Sequence, residues 1–189
     1  MGQSATRTNR RPPTRSESAS LSIFPTNLGW FGLLGRQERL VSVFIGHGSE
    51  TEVRRAVERQ LAAADPDSPI HEGDWHPELR RRLEQYTLGA KVEFNDVKLA
   101  LPRLSEFQER VIQATRRIRY GKTLSYGELA EKAGYPRAAR GVGTVMSSNR
   151  FPIVIPCHRV VAAGGKTGGY SAPQGISLKL RLLALEKDH

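Results

Sequence analysis

The chain has 189 residues, 38% hydrophobic and 25% charged, with one cysteine and a formal net charge of +10. That length supports one or two small domains with a true core, no apolar run is long enough to span a bilayer, and a lone cysteine excludes an internal disulfide and any multi-cysteine zinc site. The charge is uneven: residues 101–189 carry 15 Lys/Arg against 6 Asp/Glu, and residues 1–100 carry 14 against 13. Such a footprint favours an anionic partner for the second half, nucleic acid first; charge alone leaves a merely basic surface open.

Residues 1–20 are polar, rich in Pro, Ser, Thr and Arg, and lack periodicity, which predicts a disordered basic arm. MGQSAT fits the loose myristoylation pattern through Gly2 and Thr6, a match that chance explains. Arg10-Arg11 has the form of a twin-arginine signal, but LSIFPTNLGWFGLLG behind it is broken by Pro25, Asn27 and glycines, a poor apolar region for one. An Arg/Ser-rich arm is also compatible with an organelle transit peptide.

Residues 21–100 are expected to form a small α/β domain. Leu28–Leu34 and Leu40–Ile45 read as strands of a hairpin around GRQE. Ser49 and Glu52 form a capping-box pattern opening a helix to about Ala63. A second helix is predicted over His76–Tyr86 and a strand over Val92–Leu99. His71, Glu72, Asp74 and His76 lie close together, but their spacing matches no recognised metal site, so the reading is a solvated loop and no metal.

Residues 101–189 are the expected functional domain. Capping boxes at Ser105/Gln108 and Ser125/Glu128 open two helices. The second, YGELAEKAG, stops at Gly134-Tyr135-Pro136, and RAARGVGTVMSSN follows as another helix. Two short helices across a tight turn suggest a helix-turn-helix. Ile153–Val161 reads as extended, residues 162–176 as a Gly-rich loop, and SLKLRLLALEK as a closing helix.

The second helix of the pair is unusual for a DNA reader. Ala138, Ala139, Gly141, Gly143 and Thr144 surround one long side chain, Arg140. Small residues allow close approach to the narrow minor groove with Arg140 as a wedge, although they serve tight core packing equally well; the basic half-chain favours DNA. Cys157, in VIPCHRVV, is flanked by Pro156, His158 and Arg159. A lone cysteine in an apolar strand is commonly inert packing, whereas a reactive one needs a lowered pKa or an adjacent base. In a regular strand Cys157 and His158 face opposite sides, so a bridging water or a backbone turn at Pro156 would be needed, and Arg159 would add charge favouring the thiolate.

IPCHRVV resembles the active-site signature of the O6-alkylguanine-DNA alkyltransferases, the methylated-DNA–protein-cysteine methyltransferase family. The resemblance runs in order through GKTLSYGELAEKAGYPRAARGVG, SSNRFPIVIPCHRVVAAGG, KTGGYSAP and LLALE, covering residues 105–187. It implies an RNase H-like N-terminal α/β domain ahead of a helical domain with a helix-turn-helix and a PCHRV active-site strand. It implies that Cys157 is the alkyl acceptor, used once, that His158 takes the thiol proton, and that Glu186 orients His158. Asn149 would brace the hinge, Tyr170 protonate the leaving guanine, Ser171 bond near O6, and Tyr126 press on a phosphate. Arg140 would fill the space of the flipped base, with Ala139 and Gly143 approaching the groove. Met146 would line the pocket, Arg159 would be among the residues that bind substrate or DNA, and the carbonyls of Cys157 and Val160 would hold the exocyclic amine. The implied partner is alkylated double-stranded DNA bound by a monomer without cofactor or membrane, in the cytoplasm at the nucleoid, or in the nucleus of a eukaryote. Non-catalytic lesion binders share the fold but lack the thiol. A plain helix-turn-helix protein or a Cys-His hydrolase leaves Pro156, His158, Arg159, Tyr170 and Glu186 unexplained as a set. The chain departs from many relatives at Arg150, where they carry proline, and in a longer path from Tyr170 to Glu186.

Overall fold

The computed structural model describes residues 18–187; the signals read at Gly2, Thr6 and Arg10-Arg11, and nearly all of the basic arm, lie outside them. Strand β1 (Ala19–Thr26) begins two residues inside the stretch assigned to the arm. It was unrecognised because Pro25 near its end and the adjoining glycines read as breakers. Strands β2 (Gly29–Arg36) and β3 (Arg39–His47) form the predicted hairpin, with Gln37 at positive φ in its two-residue turn. A short strand β4 (Ile70–Glu72), which no sequence signal marked, completes a sheet of order β3-β2-β1-β4, antiparallel except for the parallel β1–β4 pair.

The sheet buries both faces. Helix α1 (Glu50–Ala64) is capped by Ser49, which accepts the Glu52 amide. It lays Val53, Val57 and Leu61 against Ala19, Leu21 and Leu34. On the other face Phe24, Phe31, Leu33, Val43 and Ile45 join Leu79, Leu83 and Tyr86 of helix α2 (Pro77–Thr87). That same cluster takes in Phe151, Ile153, Val154 and Ile155, and Leu178 and Leu182 of the last helix. The segment leading to Cys157 is therefore built on the back of the N-terminal sheet.

Val92–Leu99 is not the predicted strand. Phe94, Val97 and Leu99 are buried, but a turn at Asn95-Asp96 interrupts them, and only Leu99 bridges a strand residue, Leu40. The Arg116 guanidinium takes up the carbonyls of Phe94, Asn95 and Val97 in place of a neighbouring strand. The residues read as a loop, His71 to His76, have other employment: Glu72 pairs with Arg54, Asp74 with Arg80, and His76 Nδ1 caps α2. Among the described residues no group of ligating side chains is placed to hold a metal.

Both capping boxes of the second half form in full, at Ser105/Gln108 ahead of α3 (Glu106–Arg116) and at Ser125/Glu128 ahead of α4 (Tyr126–Lys132). Helix α5 (Ala139–Ser147) follows α4 across the Gly134–Pro136 turn, and Val142, Val145 and Met146 pack into a core with Val111, Leu129 and Ala130. The parallel pair β5 (Leu124–Ser125) and β6 (Val160–Val161) joins the start of α4 to the segment after Cys157. Helix α6 (Gly175–Leu185) closes the chain. Among the described residues no helix is long and apolar enough to cross a membrane.

Candidate active site

Cys157 does not lie in a strand. Residues 157–159 form a single 3₁₀ turn, and only Val160–Val161 pair as β6. Pro156 has no amide hydrogen to give a strand ladder, and Asn149 organises the bend. Its Oδ1 accepts the Phe151 amide at 3.0 Å and its Nδ2 donates to the Ile155 carbonyl at 2.9 Å. Ile153 is held at φ 71°, a conformation costly for a β-branched residue. The β-branched run Ile153–Val161 is apolar because it is core, not because it is extended.

Three residues per turn rotate neighbouring side chains by about 120°, so Cys157 and His158 leave the turn in different directions. His158 is fully buried and its Nε2 lies 2.9 Å from Glu186 Oε1. Its Nδ1 is buried and has no protein hydrogen-bond partner. The carboxylate thereby selects the neutral tautomer with hydrogen on Nε2 and a bare lone pair on Nδ1. Glu186, the C-cap of α6, also accepts Arg159 Nε and Nη2 (2.9 Å each at the shorter contacts), the Tyr86 hydroxyl at 2.6 Å and the Gly121 amide at 3.1 Å. Gly121 has φ +71°, and a Cβ there would fall 2.8 Å from the Glu186 carbonyl.

The charges follow from these contacts. Burial pushes the Glu186 pKa up, but hydrogen bonds and charge from His158 and Arg159 outweigh it and hold the carboxyl well below the usual range. Burial pushes His158 down, against the pull of Glu186, so the imidazole is neutral at rest. Burial also pushes the Cys157 thiol up, only partly opposed by Asn149, Lys179 and Tyr170. The expectation that Arg159 would favour a thiolate is therefore corrected: the resting sulfur carries its proton, and the reaction needs a base.

Arg159 is corrected in a second respect. It is 5% exposed, paired with Glu186, and its Nη1 donates to the Ile118 carbonyl at 2.6 Å, so it faces the interior rather than a DNA surface. The Val160 carbonyl accepts the ammonium of Lys179 at 2.6 Å, and the Ser171 hydroxyl donates to the Ser147 carbonyl at 3.2 Å. Tyr126, Gly143, Met146, Asn149, Tyr170 and Ser171 do line one cavity of about 550 Å³ with Cys157. The Tyr170 hydroxyl is buried there without a conventional hydrogen bond, its sulfur neighbour being Cys157. Arg140 is exposed at the start of α5, with Ala139 half-buried beside it. Lys179 and Tyr86 were missed. Helical spacing puts Lys179 on the face of Leu182 and Glu186, and Tyr86 on that of Leu79 and Leu83, which marks burial; nothing local marks what they touch.

A buried cysteine followed by a glutamate-held histidine, and lining a cavity walled by the second helix of a helix-turn-helix, fits the class of DNA-acting proteins that use a cysteine of their own. Comparison with known proteins gives the family. The sequence model of the 6-O-methylguanine DNA methyltransferase DNA-binding domain matches residues 106–188. A methylated-DNA–protein-cysteine methyltransferase of Methanosarcina acetivorans is 44% identical over 166 residues, 87% of this chain and 96% of the relative. One of Mycobacterium leprae is 40% identical over 151 residues, 77% and 85% of the two chains. A crystal structure of Mycobacterium tuberculosis O6-methylguanine methyltransferase superposes with a TM-score of 0.71 at 33% identity, covering 90% of this chain and 93% of that one. A structure of the M. tuberculosis protein in complex with DNA superposes equally well. The chain belongs to the methylated-DNA–protein-cysteine methyltransferase family.

Proposed function

We propose that this chain repairs DNA by direct reversal, moving the alkyl group of an O6-alkylguanine in duplex DNA onto its own Cys157. The Cys157 sulfur attacks the alkyl carbon, the carbon–O6 bond breaks as the sulfur–carbon bond forms, and the thiol proton passes through a water to Nδ1 of His158. The guanine leaves with a proton supplied from the Tyr170 hydroxyl, which is restored by the proton held on His158. One observation carries this reading: Cys157 lines the cavity with Tyr170 and Asn149, and the next residue, His158, is held through Nε2 by Glu186 at 2.9 Å while its buried Nδ1 has no protein hydrogen-bond partner. The thioether product has no group near it able to cleave it, so each molecule acts once. A non-catalytic lesion binder would have no use for the thiol at the head of this arrangement.

The remaining roles follow from position. The target carbon is inaccessible in a stacked base, so the nucleotide must be rotated out at a cost of a few kcal/mol. Helix α5 approaches the minor groove through Ala139 and Gly143, Arg140 occupies the gap in the stack, and Tyr126 bears on the neighbouring phosphate. Met146 bounds the base pocket, Ser171 turns from Ser147 toward O6, and Asn149 keeps the acceptor turn rigid. The protein works as a monomer, in whichever compartment holds the DNA.

The test is the intact mass of the protein after incubation with a duplex containing O6-methylguanine. One methyl per molecule, saturating and carried on the Cys157 peptide, supports the reading; tight lesion-selective binding with no mass change overturns it. Arg140→Ala should slow transfer from duplex by roughly 10- to 100-fold, part of the flipping cost, and leave reaction with free O6-alkylguanine unchanged. Equal losses on both substrates would remove the wedge role.

A further inference from the structure

The carboxylate that orients His158 is gripped from two sides of the molecule. Arg159 and His158 reach Glu186 from the acceptor turn. Tyr86 reaches it from α2, 100 residues away in sequence and on the far side of the shared core. Its hydroxyl donates to Glu186 Oε1 at 2.6 Å and lies 3.1 Å from His158 Nε2. A phenol has one hydrogen. With that hydrogen given to Glu186, the phenol oxygen is left as a second acceptor facing Nε2–H. The side chain is fully buried, and its ring is set edge-on against Phe94, Tyr120 and His158 with centroids 6.0–6.4 Å apart. The hydroxyl therefore has little freedom to point elsewhere.

We propose that Tyr86 is a positioning residue of the acceptor site: its hydroxyl, held between Glu186 and His158, fixes the hydrogen on Nε2 and keeps Nδ1 bare for the thiol proton. Helix α2 thereby holds part of the proton-transfer machinery, in addition to supporting it. This inference rests on Cys157 being the alkyl acceptor.

The expected sign can be worked out. The groups facing the His158 imidazole are Glu186 and Lys179 from the α6 end of the chain, Arg159 from its own turn, and Tyr86 from α2. Removing the Tyr86 donor leaves the Glu186 negative charge less satisfied. Glu186 then holds an imidazolium more strongly, and His158 takes up a proton at higher pH. Because the thiol proton needs a neutral imidazole, the acid limb of the pH–rate profile moves upward. In the wild type that limb is expected below the ordinary histidine value of about 6.5, because burial lowers His158.

The experiment is single-turnover methyl transfer from an O6-methylguanine duplex, between about pH 5 and about pH 9, by the wild type and Tyr86→Phe. Phenylalanine keeps the ring contacts. In a protein that reacts once, loss of folded molecules lowers the amplitude, whereas loss of positioning lowers the rate constant. The expected result is full amplitude, a rate constant at neutral pH lower by about tenfold, the scale of one hydrogen bond to a charged group, and an acid midpoint shifted upward. Fluorotyrosine placed at position 86, a stronger donor of the same shape, should shift the midpoint downward, which supplies the test should the phenylalanine variant fold poorly. An acid midpoint that neither replacement moves overturns the proposal, whatever the amplitude or rate. A wild type that accepts no methyl removes the acceptor reading and this one with it; a reactive wild type beside variants with an unmoved midpoint removes this one alone.

Discussion

Replacing Cys157 with alanine should abolish methyl transfer while leaving the affinity for O6-methylguanine duplex within a few-fold of wild type. Cys157 is 8% exposed and lines the cavity, whereas the surface proposed to meet DNA is the outer side of α5, where Arg140 is exposed. Removing one atom from the floor leaves that surface, the Asn149 brace and the Val142–Met146 packing in place. The stability change should be of order 1 kcal/mol, typical of a small buried deletion. Serine in place of Cys157 should be equally inactive. The hydroxyls of Ser147, Ser148 and Ser171 around the cavity offer no substitute, since an alcohol there stays protonated and is a poor nucleophile without an adjacent base. Gel-shift affinity and intact mass measured on one preparation decide the matter. Binding lost in step with transfer would make Cys157 a structural residue, and methylation of the alanine variant would place the acceptor elsewhere.

Much of this site is legible in the linear sequence, and what is hidden is hidden for identifiable reasons. Ser105/Gln108 and Ser125/Glu128 announce helix starts because a capping box is a local bargain between four residues, and both form as read. The Gly134–Pro136 break gives the helix-turn-helix for the same reason. The strand assigned to Ile153–Val161 fails because β-branched content reports burial as readily as extension. The bend depends on Asn149 reaching across to Ile155 and on Ile153 at positive φ, neither of which leaves a periodic trace. Val92–Leu99 fails in the same way, its buried residues serving the core while Arg116 satisfies their carbonyls. Arg159 reads as a surface charge until its partner is known, and that partner lies 27 residues further on. Tyr86 is the extreme case: its helical position predicts that it is buried, but only the packing of α2 against the acceptor region reveals that its hydroxyl ends on Glu186.

Glu186→Ala should be the most damaging single substitution in the chain, for two separable reasons. Stability falls first. The carboxylate is 2% exposed and satisfies the Arg159 guanidinium, His158 Nε2, the Tyr86 hydroxyl and the Gly121 amide together. Deleting it leaves a buried cation and three donors unpaired, and breaking a buried ion pair from one side costs about 3–5 kcal/mol, a large share of the roughly 5–15 kcal/mol that stabilises a domain. The pH dependence has a definite sign. The folded-state pKa of Glu186 is depressed, so its contribution is present above the ordinary carboxylate value of about 4.3 and is lost as pH falls toward the folded value; the variant should lack that acid-side loss. Chemistry falls second, because His158 loses the acceptor that keeps Nδ1 bare. The two losses separate in the double variant Arg159→Met/Glu186→Met. Removing both charges leaves no unpaired ion, so denaturant unfolding should show much of the lost stability restored. The single-turnover rate constant should stay low, since the imidazole is still unoriented. Recovery of rate along with stability would reduce Glu186 to a structural counter-ion of Arg159. Recovery of stability alone would show that one carboxylate both closes the core and orients the base.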